Sequence, residues 1–176
     1  MRNRAVVQRR LDVAFDNYLK LTDVLRSDLQ EMLTAETNTP QWRRNFIRAA
    51  AALLEGHTYC LRQMCRMALQ CTAPAITSKE RRAILDENAF DANTRIMLIL
   101  RAAYKLHSLG PLPRFDDTNW KNAQRVILKR HRLMHPRRPS DLGLADTTWR
   151  LHKKGIIWLA EQFFGFLALL QAKHGS

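Results

Sequence analysis

Apolar residues recur at three- and four-residue spacing along almost the whole chain, and no run alternates apolar with polar positions between hairpin turns. That pattern predicts an all-α protein. Val6, Leu11, Phe15, Tyr18, Leu19, Leu25 and Leu29 form a stripe that predicts a first helix over 4–33, ended by the polar stretch 34–39. Pro40 stands where a first-turn proline is tolerated, after Asn38 and Thr39 as candidate caps, and opens a second long helix to about residue 71. The segment TAPAIT at 72–77 breaks it, and a short helix runs from Ser78 to near Asp86. A third major helix is expected over 94–108, stopped by Gly110, Pro111 and Pro113. Asp116, Asp117 or Thr118 can cap a fourth, which passes through Trp120 and Val126 to Met134, where Pro136 halts it. After a turn at 136–143, Asp146 or Thr147 caps a last helix over 148–173, apolar nearly all round as a helix between neighbours must be. Four to five long helices with short loops make a helical bundle, with 1–39 as a basic N-terminal helix packed on a core of 40–176 in one domain.

A chain of 176 residues buries a sufficient core without disulfides or a structural metal. Cys60, Cys65 and Cys71 contain no CxxC pair and share one predicted helix, so they read as reduced, buried thiols. The N-terminal residues are charged at almost every turn and lack the apolar core of a signal peptide. The apolar run 156–170 is shorter than a bilayer span and is interrupted by Glu161 and Gln162, which makes it a core helix. A cytoplasmic protein with no membrane contact is the expectation. His57, among apolar neighbours, reads as a core histidine, and Trp42, Trp120, Trp149 and Trp158 as core anchors. Stacking of a base on Trp120 or Trp149 is the alternative use of those rings.

Charge changes the picture. The 29 Lys and Arg exceed the 16 Asp and Glu by 13, a balance that concerns partners rather than fold and favours nucleic acid, an anionic surface or an acidic protein. Residues 120–154, a fifth of the chain, hold +8 of that +13. Lys121, Arg125, Lys129, Arg132, Arg137 and Arg138 are the candidate phosphate contacts there. No glycine-rich phosphate loop, HExxH or paired Cys/His spacing is present, so no metal or cofactor is expected and P-loop hydrolases and the familiar zinc enzymes are excluded.

Inside the basic segment, Arg130 is followed five positions later by His135. Arginine and histidine together suit RNA cleavage, which needs a proton taken from the 2′-hydroxyl, a proton given to the leaving oxygen, and a cation for the charge on the phosphorane. Imidazole can move the protons; guanidinium keeps its charge and forks onto phosphate oxygens. On a continuous helix the two side chains would lie about 140° and about 7.5 Å apart and would not meet at one phosphate. Pro136 ends the helix at His135, which frees the histidine from the helical path, and a second copy across a dimer interface is another route to a complete site. The plainer reading of His135 is a helix-end residue bonded to the last carbonyls. Glu55 is the single acid between Glu36 and Glu80 and has no basic residue three or four positions away. It calls for a cation from another helix, with Arg130 the natural partner.

These residues resemble the HEPN superfamily of helical, often dimeric domains associated with RNA cleavage, toxin–antitoxin pairs and antiviral defence. Arg130-His131-Arg132-Leu133-Met134-His135 is similar to its hallmark, an arginine, a polar residue, three more residues and a histidine. Pro136 and the turn Pro139-Ser140-Asp141-Leu142 also resemble the family's pattern after the histidine. Over 40–173 the resemblance implies Arg130 and His135 as the catalytic pair, His131 as the supporting polar position and Glu55 as the orienting acid. It implies a metal-independent endoribonuclease, of the toxin or defence type, that leaves a 2′,3′-cyclic phosphate. RNA is then the substrate, a second copy of the chain a partner, and an antitoxin or defence-complex subunit another. The long basic first helix, with Arg2, Arg4, Arg9 and Arg10, departs from a minimal member. Two other classes fit the residues: a non-catalytic basic module that binds RNA or a partner subunit, and a structural dimer subunit using Trp158, Phe163, Phe164 and Phe166 as its interface.

Overall fold

The computed structural model describes residues 4–35, 37–70 and 75–174, and among them every regular element is helical. Six α-helices come in order: α1 (Arg4–Thr34), α2 (Pro40–Ala68), α3 (Ser78–Leu85), α4 (Ala92–Leu106), α5 (Thr118–Met134) and α6 (Asp146–His174). A 3₁₀ turn at Pro139–Leu142 lies between the last two. Five of the six are long, which gives the all-α class its five main helices. Cys71 and Arg2 lie outside the described residues.

The starts of these helices are chemical. Thr39 accepts the Trp42 N–H with its hydroxyl and the Arg43 N–H with its carbonyl, so α2 begins at Pro40. Thr77 and Glu80 close a reciprocal capping box at the head of α3. Asp91 accepts from the Asn93 and Thr94 N–H groups, which starts α4 at Ala92 rather than at the expected residue 94. Among the three candidates before α5, Asp117 is the cap, and Pro136 confines the helix to end at Met134.

The chain divides into two compact units. The first comprises Met1–Leu21, Gly56–Arg114 and Gln162–Ser176. Its core holds Tyr18, Leu61, Cys65, Ile84, Ile99, Leu100, Phe163 and Phe166, all essentially inaccessible. His57 is fully buried there, stacked on Phe163, with the Tyr18 hydroxyl 2.7 Å from its Nδ1, so it is the core histidine expected. Burial lowers its pKa to about 3, and desolvation first, then the Cys60 and Cys65 thiols, raises that of Tyr18. Both cysteines are buried and free, and burial pushes both thiols up. Glu80 does double duty, since the carboxylate that caps α3 also receives Lys105 Nζ of α4 at 2.8 and 2.9 Å. Burial alone would raise its pKa; the bonds from Lys105 and Thr77 outweigh that and lower it.

The second unit comprises Thr22–Glu55 and Phe115–Glu161. The boundary expected at 39/40 falls inside it. Trp42, Phe46 and Trp149 form one aromatic cluster of edge and stacked contacts, and Phe115, Trp120 and Trp158 another. Trp120 and Trp149 are 5% and 6% exposed, which corrects the base-stacking alternative: neither presents a face to a base. α5 and α6 meet at Gly155, where a β-carbon would come within 2.4 Å of the Ala123 nitrogen. Only glycine permits that approach.

By length and hydropathy α6 is the one described helix that could cross a membrane, over Asp146–Lys173. Within their respective units its Ile156, Leu159, Phe163, Phe166 and Leu170 are buried against other side chains, while Ile157 and Leu169 are exposed and 44% of its most apolar stretch is buried.

Candidate functional site

Glu55, Arg130, His131 and His135 all belong to the second unit. Glu55 is carried by α2 and Arg130 by α5, and one guanidinium nitrogen, Nη2, lies 3.0 Å from Glu55 Oε1 and 3.2 Å from Oε2. The cross-helix partner that the spacing around Glu55 demanded is therefore Arg130. The side chains are 31% and 56% exposed, so the pair meets at a surface where an incoming anion can reach the guanidinium. One nitrogen meets both carboxylate oxygens, which tethers the guanidinium at a single point.

His135 is the C-cap of α5. Its backbone has left the helix, with φ −130° and ψ 62°, while its N–H still bonds the His131 carbonyl at 3.0 Å. The two imidazole rings lie 5.2 Å apart between centroids, tilted by 54°. Both are exposed. Arg48 on α2, seven residues before Glu55, directs Nη2 to the Leu133 carbonyl at 3.4 Å, and so brings a second guanidinium to the end of α5. Sequence reasoning did not place Arg48 there. Its seven-residue separation from Glu55, two turns on one face of α2, was the available signal.

The basic candidates separate into two sets. Arg125, Lys129 and Arg132, at four- and three-residue steps on α5, line one cleft with the start of α6. Lys121, Arg137 and Arg138 are exposed and are not part of its lining. Lys129 is drawn in to bond the Asp141 carbonyl at 2.7 Å. Its burial, together with the neighbouring Arg132 charge, lowers the ammonium pKa. The Asp141 carboxylate accepts the Arg137 and Arg138 N–H groups at 2.9 and 3.2 Å, bonds that hold its pKa down with help from the Arg138 and Arg132 charges. Among the described residues no group of three or more His, Cys, Asp or Glu side chains is placed to hold a metal ion. No family model, curated protein or solved structure matches this chain.

Proposed function

We propose that the protein is a metal-independent endoribonuclease of the HEPN type, acting in the cytoplasm as a homodimer in a toxin or defence role. The observation that carries the reading is the Glu55–Arg130 ion pair beside the His131–His135 ring pair at the broken end of α5. In the reaction the 2′-oxygen of RNA forms a bond to phosphorus and the bond to the 5′-oxygen breaks. The 2′-hydroxyl proton goes to the His135 imidazole, which passes it on to the leaving 5′-oxygen. His135 is the proton-transferring residue and His131 supports it. Arg130 offers its remaining N–H donors to the phosphorane oxygens, while Glu55 acts as a positioning residue through Arg130. The products are a 2′,3′-cyclic phosphate and a free 5′-hydroxyl. The alternative, a non-catalytic basic module that holds RNA or a partner subunit, is favoured by the cleft cations, which need no histidine to bind an anion.

One experiment separates them. Purified protein is incubated with a mixed RNA pool in EDTA beside His135→Ala and Arg130→Ala, and the 3′ ends of the products are analysed. Cyclic phosphate ends made by the unaltered protein and by neither variant are expected. Retention of RNA by all three proteins without cleavage would replace the enzyme with the binding module.

A further inference from the structure

The cleft lined by Arg125, Lys129 and Arg132 has a volume of about 530 Å³, and no carboxylate is among its lining residues. Nearby acids are engaged away from it. The Asp141 carboxylate receives the N–H groups of Arg137 and Arg138, and Asp146 is ion-paired with the buried Arg43. Three cations thus line one cavity whose walls hold no carboxylate, and the Asp141 charge acts on Lys129 and Arg132 only from outside that lining. Behind these side chains the floor is held by packing. α5 and α6 touch at Gly155, and His152 of α6, 3% exposed, bonds the Thr148 carbonyl through Nδ1 and the Arg125 carbonyl besides. Gly143, just before α6, and Thr148, in its first turn, complete the rim, and the leading N–H groups of α6 have no partner within the helix and carry the positive end of its dipole.

Burial first and the neighbouring Arg132 charge second hold the Lys129 ammonium pKa down, and an anion among these cations would offset the cost of their proximity. Shape and position decide the nature of the anion. The three cations step along α5 over two turns, a line suited to an extended polyanion rather than to one compact ion. Arg132, at one end of that line, stands one turn before His135 on the same helix.

We infer that the cleft between α5 and the start of α6 is a phosphodiester-binding subsite, which seats the backbone of a single-stranded nucleic acid beside the His131–His135 end of α5. It deepens the ribonuclease reading by giving the strand a track, yet its own geometry does not depend on cleavage. Guanidinium forks and the N–H groups of α6 take the phosphate oxygens, and Lys129 adds a fixed point charge.

The test uses the full chain and a labelled single-stranded DNA oligonucleotide, which carries phosphodiesters but no 2′-hydroxyl. Binding is then read without cutting, whatever becomes of the ribonuclease. Arg125→Gln and Arg132→Gln remove exposed side chains, and their folding is checked by circular dichroism. Each is expected to weaken binding by about tenfold and to lower the slope of log affinity against log salt by about 0.7. Arg132→Lys, which keeps the charge, should retain most of the affinity, and Lys79→Gln, an equal charge loss on α3, should change it by less than about twofold. Cleft variants that bind the oligonucleotide no worse than Lys79→Gln would overturn the assignment. It would also be overturned if inorganic phosphate bound the unaltered protein more tightly than the oligonucleotide, or if the cleft variants lost a polyglutamate peptide to the same degree. Those results would make the cleft a free-phosphate site or the seat of an acidic protein.

Discussion

In the proposed reaction Arg130 carries two opposed demands. It must stay fixed, which Glu55 achieves at 3.0 Å, and it must remain attractive to phosphate, which a fully neutralised guanidinium would not. Their partial exposure reconciles the two, because water screens the pair and leaves free donors on the fork. On the proposed ribonuclease reading Glu55→Gln is expected to slow RNA cleavage by about tenfold to a hundredfold, since the arginine loses its tether, with a stability change below about 1 kcal/mol as for other exposed pairs. Rates on a defined RNA and a urea melt of the same samples check both halves. His57 makes the contrary case, a histidine with no access to substrate. Its folded pKa of about 3 lies below the unfolded value, so in acid the unfolded chain binds the extra proton. The stability it contributes is whole above about pH 6.5 and is lost as pH falls toward about 3. The loss of stability between pH 7 and pH 4 should therefore be smaller in His57→Gln than in the unaltered protein, measured by urea midpoints at the two values. Glu55 and Arg130 were legible as a pair because α2 offered Glu55 no partner at the right spacing. The cleft was not, because its lining comes from α5, the residues before α6 and α6 itself, and no single stretch of sequence displays a cavity.

At the scale of elements, the ends of helices were readable and their crossings were not. Thr39, Asp117 and Pro136 act within a few residues of themselves, so local sequence declares them. Gly155 acts on a backbone some thirty residues away. Nothing around it in the chain distinguishes it from Gly165, ten residues on in the same helix, which has no atom within 4 Å of where a β-carbon would sit. Their alanine variants should accordingly diverge. Gly155→Ala forces α6 off Ala123 and should destabilise the protein by about 2–4 kcal/mol, whereas Gly165→Ala should stabilise it by about 0.5–1 kcal/mol through helix propensity alone. Thermal or urea unfolding of the two variants side by side settles the comparison. The same crossing fixes one wall of the basic cleft, so oligonucleotide binding should fall in the first variant and persist in the second.

Over the whole molecule, the division into two units reflects contacts between distant segments, and periodicity along the chain carries no record of those. One domain with a helix laid upon it was all that periodicity could express. In the folded chain α1, α2 and α6 each supply residues to both units, and α1 reaches a core near each of its ends: Val7 is 2% exposed and Leu29 7%. Deleting 1–39 removes Tyr18 from His57 and Leu29 from the second unit, and the remainder is expected to lose its cooperative unfolding transition by calorimetry.

Each unit is sewn from separated stretches, and one cut near residue 114 would divide the stitching of both. A piece ending there would hold 1–21 and 56–114 of the first unit with 22–55 of the second, and the other piece would hold 162–176 and 115–161 to match. Neither piece owns a complete core, so each has reason to seek the other and little reason to fold alone. Two inert polypeptides that recover structure only on meeting are the raw material of a split reporter, and in this chain the natural seam is the stretch joining α4 to α5.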